Sequence, residues 1–161
     1  MLSWWSPRGE SWQRAGVRRL ENRSDLKQTE VVTAFLRHAG RILLVQRSRR
    51  VGSYQGRWSA ISGYLEDATP LLQARREIRE ETGLAGDEVH LVAQAEPIAI
   101  QAPELGRLWL VHPLLFDIDD PEHVRLDWEN VEARWVEPDE IENYATVPKL
   151  AAVLQACLKM R

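Results

Sequence analysis

Residues 76–84 read REIREETGL, which places Glu77, Glu80 and Glu81 within five positions. At i, i+3 and i+4 they share one face of a helix, where Glu77 and Glu81 repel each other by about 0.2–0.5 kcal/mol. The flanks call for a helix. Thr69 is a suitable N-cap, Pro70 suits the first turn, and Gly83 suits the C-terminal cap. Leu71, Ala74 and Ile78 form an apolar stripe roughly a quarter turn from the glutamates. The carboxylates are therefore expected to point sideways into a cleft while the stripe packs on a core.

Charge runs on helices are commonly solvated faces held by i,i+4 pairs. Arg76–Glu80 is one such pair, and the like pair Arg75–Arg79 opposes it. A face selected only for exposure would alternate its signs, whereas here three acids cluster. A divalent cation converts that repulsion into a ligand set, and hard oxygen donors suit Mg²⁺ or Mn²⁺. Magnesium keeps part of its water shell and is usually shared with phosphates, so a small di- or polyphosphate is the expected substrate.

The longer stretch GYLEDATPLLQARREIREETGL, Gly63 to Leu84, resembles the Nudix box: Gly, five residues, Glu, seven residues, then Arg-Glu-aliphatic-x-Glu-Glu-x-Gly-aliphatic. Arg76, Glu77, Ile78, Glu80, Glu81, Gly83 and Leu84 match the second half at every defined position. The first half departs. Gly63 stands one residue too close to Arg76, and the upstream Glu is absent: counted from Arg76 its place holds Ala68, counted from Gly63 it holds Thr69. The simplest reading is a one-residue deletion in the turn. In the family the upstream Glu commonly pairs with the box Arg; Glu66 or Asp67 could substitute.

The resemblance covers about residues 29–161. It implies an α/β/α sandwich around a mixed β-sheet and metal-dependent attack of water on a phosphoanhydride, the substrate being a nucleoside diphosphate derivative or triphosphate. Glu77, Glu80 and Glu81 would hold Mg²⁺ (Mn²⁺ as a substitute), helped by a carbonyl near Ser62 or Gly63, with Arg76 orienting the carboxylates. An arginine among Arg47, Arg50 and Arg57 would clamp phosphate. A further acid outside the box would act as general base or metal ligand. Glu129, six residues before Trp135, holds that place, with Glu132 as the alternative; a plain surface acid is an equal reading of both. Tyr64 and Trp128 are placed to stack on a flat group, although packing alone explains them as well. A reading from another class is a catalytically weakened Nudix-fold module that senses a nucleotide; the shortened box favours it and the intact glutamates oppose it. Pro97 stands near, but not at, the place an ADP-ribose-type proline would take.

Strand patterns surround the box. EVVTAFLRHAGRILLVQR reads as a hairpin turning at His38-Ala39-Gly40, and RWSAISGYL as one short strand. VHLVAQA and RLWLVHPLLFDI follow as strands separated by a loop around QAPELG, then ARWVE. PDEIENY begins as a helix should, and Leu150, Val153, Leu154, Cys157 and Leu158 mark a last amphipathic helix. Residues 1–27, with Trp4, Trp5 and Trp12, read as an arm before a domain of residues 28–161. Such an arm is expected to pack on its own domain or on a second subunit, which raises a homodimer.

The chain of 161 residues carries a net charge of -3. That balance argues against bulk nucleic-acid binding, which needs a basic footprint. Val31–Leu65 nevertheless holds six arginines and no acid, a wall suited to a small polyanion. No apolar run approaches a membrane span, no secretory signal layout is present, and the lone Cys157 fits a reducing, cytoplasmic setting. His38, His90 and His112 lack partners at ligand spacing and read as structural. Cys157, Trp109 and Trp135 read as core.

Overall fold

The structure, a computed structural model, describes residues 25–160. Trp4, Trp5 and Trp12, and any subunit contact they make, lie outside the described residues. Leu26 is already buried, and the first strand starts beside it.

Strand β1 (Lys27–His38) and strand β2 (Arg41–Arg47) form the expected hairpin. Ala39 and Gly40 link them at φ 50° and 78°, the backbone of a two-residue turn whose twist matches the strands. The pairing is brief, only Arg37 with Ile42 and His38 with Arg41. Then the strands part. Below the fork β1 takes β4 (Ile61–Tyr64) as its neighbour, whereas β2 takes β3 (Trp58–Ser59) and β8 (Asn130–Val136). The expected single strand over RWSAISGYL is therefore two, because the chain crosses at Ala60 from one branch of the fork to the other. On its far side β1 runs parallel to β7 (Arg107–Ile118), from Lys27–Arg107 to Arg37–Asp117. β7 carries β5 (Val89–Gln94) beside one end and β6 (Ile98–Ala102) beside the other, both antiparallel. β6 falls in what the sequence presents as part of a connection. The ARWVE strand begins earlier, at Asn130, and PDEIENY forms a 3₁₀ turn, Pro138–Asn143.

Period-2 alternation gives this mixed sheet two apolar faces. Val32, Ala34, Leu36, Leu43 and Val45 face helix α1 (Pro70–Thr82), packing on Ala74 and Ile78. Phe35, Ile42 and Leu44 face helix α2 (Leu150–Leu158), packing with Leu150, Val153, Leu154 and Cys157. Burying each large side chain of these layers contributes roughly 1.5–3 kcal/mol. The result is helix, sheet, helix, as expected.

α1 is capped as its sequence dictates. Thr69 is extended and its hydroxyl accepts from the Leu72 N–H at 3.2 Å; Gly83, at φ 71°, donates its N–H to the Arg79 carbonyl. Its buried face is wider than the expected stripe. Leu71 is half-buried, while Gln73, Glu77 and Glu81 are buried along with Ala74 and Ile78. The glutamate row thus divides: Glu77 and Glu81 sink toward the sheet and Glu80 stays at the surface.

Candidate active site

The shortened turn before α1 is held from beneath. The main-chain N–H groups of Glu66 and Asp67 both donate to the Gln73 side-chain oxygen at 2.8 Å. This leaves the Glu66 and Asp67 carboxylates free to turn outward onto Arg76. The Arg76 guanidinium donates from Nη1 to Asp67 Oδ1 at 3.0 Å and from Nη2 to Glu66 Oε1 at 3.3 Å, and its Nε lies 3.3 Å from Glu80 Oε1. Both acids proposed as stand-ins for the upstream Glu therefore reach Arg76.

Glu77 is seated against Gly63. A Cβ at Gly63 would lie 2.1 Å from Glu77 Oε2, so only glycine leaves this carboxylate its place. Glu77 Oε2 accepts from Gln73 Nε2 at 3.0 Å. Glu81 is deeper, 2% exposed. Its Oε1 accepts from Asn130 Nδ2 at 3.0 Å, but its Oε2 has no hydrogen-bond partner among the described residues. Burial drives the Glu77 carboxyl up to about 7, with Gln73 opposing the shift and Glu80 and Glu129 adding to it. Burial, then the charge of Glu129, drives Glu81 well above the ordinary carboxylate range.

Glu129 sits in the loop before β8. Its carbonyl accepts the Ser48 N–H at 2.7 Å and its own N–H donates to Asp127 Oδ1 at 3.0 Å. Burial and Asp127 raise its carboxyl, and Arg47 opposes them. Glu129 faces the same cavity as Glu77 and Glu80. Glu132 does not line it and instead accepts from Arg134 Nε at 2.7 Å.

Of the three arginines expected to clamp phosphate, Arg47 lines the cavity. Its Nε donates to the Ser53 carbonyl at 3.0 Å and its Nη1 reaches the Ser62 hydroxyl at 3.5 Å. Burial lowers its pKa against the pull of Glu81 and Glu129. Arg50 does not line the cavity; it lies over Trp128, 5.4 Å from the ring centroid, and Trp128 does line it. Arg57 is exposed outside the cavity, and its main chain bridges Arg47 and Tyr54.

The cavity, of about 420 Å³, runs from Arg47, Glu77, Glu80 and Glu129 across β1 and β7 to α2; Glu81 lies beneath it and does not line it. The far end of the cavity is apolar, with Ile100, Val111, Leu150 and Val153, and aromatic, with Tyr54, Tyr64 and Trp109. Trp109 belongs to the core cluster, as expected, yet it also lines the cavity. Its indole N–H donates to the Tyr54 hydroxyl at 3.0 Å, and its ring lies 6.4 Å from that of Tyr54 and 6.5 Å from that of Tyr64. Tyr54 has no local sequence signal; it sits at φ 51° in the loop between β2 and β3. The strand histidines are satisfied structurally, His38 by the Ile118 carbonyl, His90 by Asp119 and His112 by Glu30.

This donor set suits a hard divalent cation. It supplies clustered carboxylates, one buried oxygen without a donor, and a glycine main chain that a carboxylate can approach. Among the described residues no three acidic, His or Cys side chains already converge as a cage. Gln73 and Asn130 donate hydrogen bonds to Glu77 and Glu81, while Glu80 is held by its ion pair with Arg76, so each carboxylate has a different partner.

The NUDIX domain family model matches residues 27–157. Among solved structures, the chain is similar to a NUDIX hydrolase from Nitrosomonas europaea, at 23% identity over 81% of this chain and 88% of that one, with a TM-score of 0.64. It is likewise similar to the MutT protein from Methanosarcina mazei, at 22% identity over 81% and 93% of the two chains, with a TM-score of 0.64. An Ap4A hydrolase from C. elegans, in a binary complex, matches at 19% identity over 81% and 94%, with a TM-score of 0.63. At these identities the structural likeness shows the fold.

Proposed function

The chain belongs to the Nudix family, and from that premise we propose that it is a Mg²⁺-dependent pyrophosphohydrolase of a nucleoside diphosphate derivative or nucleoside triphosphate, with Mn²⁺ able to substitute. The observation that carries this reading is the buried Glu81 carboxylate with its unpartnered Oε2, set behind a Glu77 that Gly63 admits to the main chain. An uncompensated buried carboxylate is costly, and a bound cation removes the cost.

Glu77, Glu80, Glu81 and the Ser62–Gly63 main chain would hold the ion. When bound, it neutralises charge on phosphate oxygens and lowers the pKa of a coordinated water. Arg76 orients Glu80 by its Nε while Glu66 and Asp67 fix its fork. Arg47, which lines the cavity and spends its Nε on the Ser53 carbonyl, would pair phosphate oxygens with its terminal nitrogens. Glu129 would accept the proton of the attacking water; its raised pKa makes it a better base near neutral pH. Tyr64, Trp109 and Tyr54 would flank the flat group of the substrate. The sensing alternative drew on the shortened turn, and the pairing of Arg76 with both turn acids speaks for the hydrolase.

Among the described residues no helix is long and apolar enough to cross a membrane, and Cys157 is buried and unpaired; a cytoplasmic location fits both. The test is a nucleotide panel with Mg²⁺ and with Mn²⁺, comparing the wild type with Glu80→Gln. Metal-dependent release of phosphate or pyrophosphate products by the wild type, reduced by orders of magnitude in the variant, supports the proposal. Nucleotide binding without turnover across the panel overturns it in favour of a sensor.

A further inference from the structure

The shortened turn raises the question of how a loop one residue short still delivers its carboxylates. The side chain of Gln73 is completely buried, on a helix face shared with Ala74, Ile78, Thr82 and the sunken glutamates. Its amide makes three hydrogen bonds: the oxygen accepts from the Glu66 and Asp67 N–H groups at 2.8 Å, and the nitrogen donates to Glu77 Oε2 at 3.0 Å. The orientation of that amide is forced. Flipped, it would aim NH₂ at two N–H donors and its oxygen at a carboxylate. A planar amide with all these partners satisfied has no freedom left, so the position of the turn and that of Glu77 are set by one rigid group. The turn in turn presents Glu66 and Asp67 to Arg76, whose Nε holds Glu80.

We infer that Gln73 is a positioning residue that replaces the missing length of the turn, joining it to Glu77 and, through Arg76, to Glu80. No local pattern announces this role. A polar side chain four residues before Glu77 reads as an ordinary helix position until the turn folds onto it. The inference rests on the hydrolase reading for its consequence, since it concerns how two carboxylates are aimed at a divalent ion. The clamp itself can be measured without turnover.

The experiment compares wild type, Gln73→Met, which keeps the length and removes every polar atom, and Ile78→Val, a core change on the same helix. Mn²⁺ binding is followed by electron paramagnetic resonance. Gln73→Met should lose Mn²⁺ affinity about tenfold or more, the scale of a hydrogen bond to a charged group, and raise the metal concentration for half-maximal turnover in parallel. Ile78→Val should leave both near wild type. Equal Mn²⁺ affinity in Gln73→Met, or an equal loss in Ile78→Val, overturns the inference. Hydrogen exchange on the wild type guards against a variant that does not fold: the Glu66 and Asp67 amides should be protected, and exchange at free-chain rates overturns the clamp. A wild type that binds no Mn²⁺ and hydrolyses nothing overturns the hydrolase reading and the metal-aiming role with it, while the exchange data still decide whether the clamp exists.

Discussion

Glu77 Oε2 occupies the space a side chain at Gly63 would need, 2.1 Å from the place of its Cβ. Gly63→Ala should therefore displace the carboxylate and leave the sheet alone, because the clash falls on the end of a flexible side chain. We expect kcat to fall about 100-fold, the cost of a misplacement near 1 Å, with little change in Tm. Steady-state kinetics and thermal melts on the same samples check this. A Tm collapse would mean that the main chain yields instead.

Glu81→Gln should move stability and activity in opposite directions. Asn130 Nδ2 keeps an oxygen acceptor, but the buried negative charge is gone. The metal-free protein should gain about 1–3 kcal/mol at alkaline pH. If Glu81 holds the ion as proposed, turnover should fall by orders of magnitude. Denaturant melts with and without Mg²⁺ read both: the wild type should be stabilised by the ion and the variant much less.

The pH dependence of metal-free stability follows from Glu77. Its carboxyl lies at about 7 in the folded chain against an ordinary value of 4.5, so the folded state holds the proton more tightly. Below 4.5 both states are protonated and the group contributes nothing. Between 4.5 and about 7 the unfolded chain releases its proton first, and stability falls as pH rises, by about 3 kcal/mol at most and less where solvent screens the half-buried group. Glu81, raised in the same direction, deepens the loss. Saturating Mg²⁺ should flatten the curve, and chemical denaturation at several pH values with and without the ion would show it.

The arginines should separate sharply. Arg47→Lys should cost about 10- to 100-fold in kcat/KM, since an ammonium cannot both hold Ser53 and fork a phosphate. Arg57→Ala, outside the cavity, should stay within about twofold. A reversed order in parallel kinetic measurements would move the phosphate to a different wall.

Much of this is legible in the sequence where the cause is local. Thr69, Pro70 and Gly83 bound α1 because caps act through nearest neighbours, and RLWLVHPLLFDI coincides with β7 because its run is long and uninterrupted. The missed features depend on partners far away in the chain. The break at Ala60 exists only because β3 and β4 pair with different strands. β6 is five residues beside a Pro–Gly turn, too short to show a period of its own. The sinking of Glu77 and Glu81 depends on Gly63 and Asn130, and Tyr54 lines the cavity beside Trp109, far away in the chain.

The parallel pairing of β1 with β7 also has a consequence for the order in which the molecule is made. Lys27 and Arg107 are partners across most of the domain, with the whole glutamate helix emerging between them. Closing so long a loop is entropically expensive and kinetically slow. α1 has its own caps and can form early in synthesis, but its carboxylates would then have no cavity to serve. Assembly of the cavity waits on β7, so a truncated or stalled chain should carry the helix and none of the chemistry.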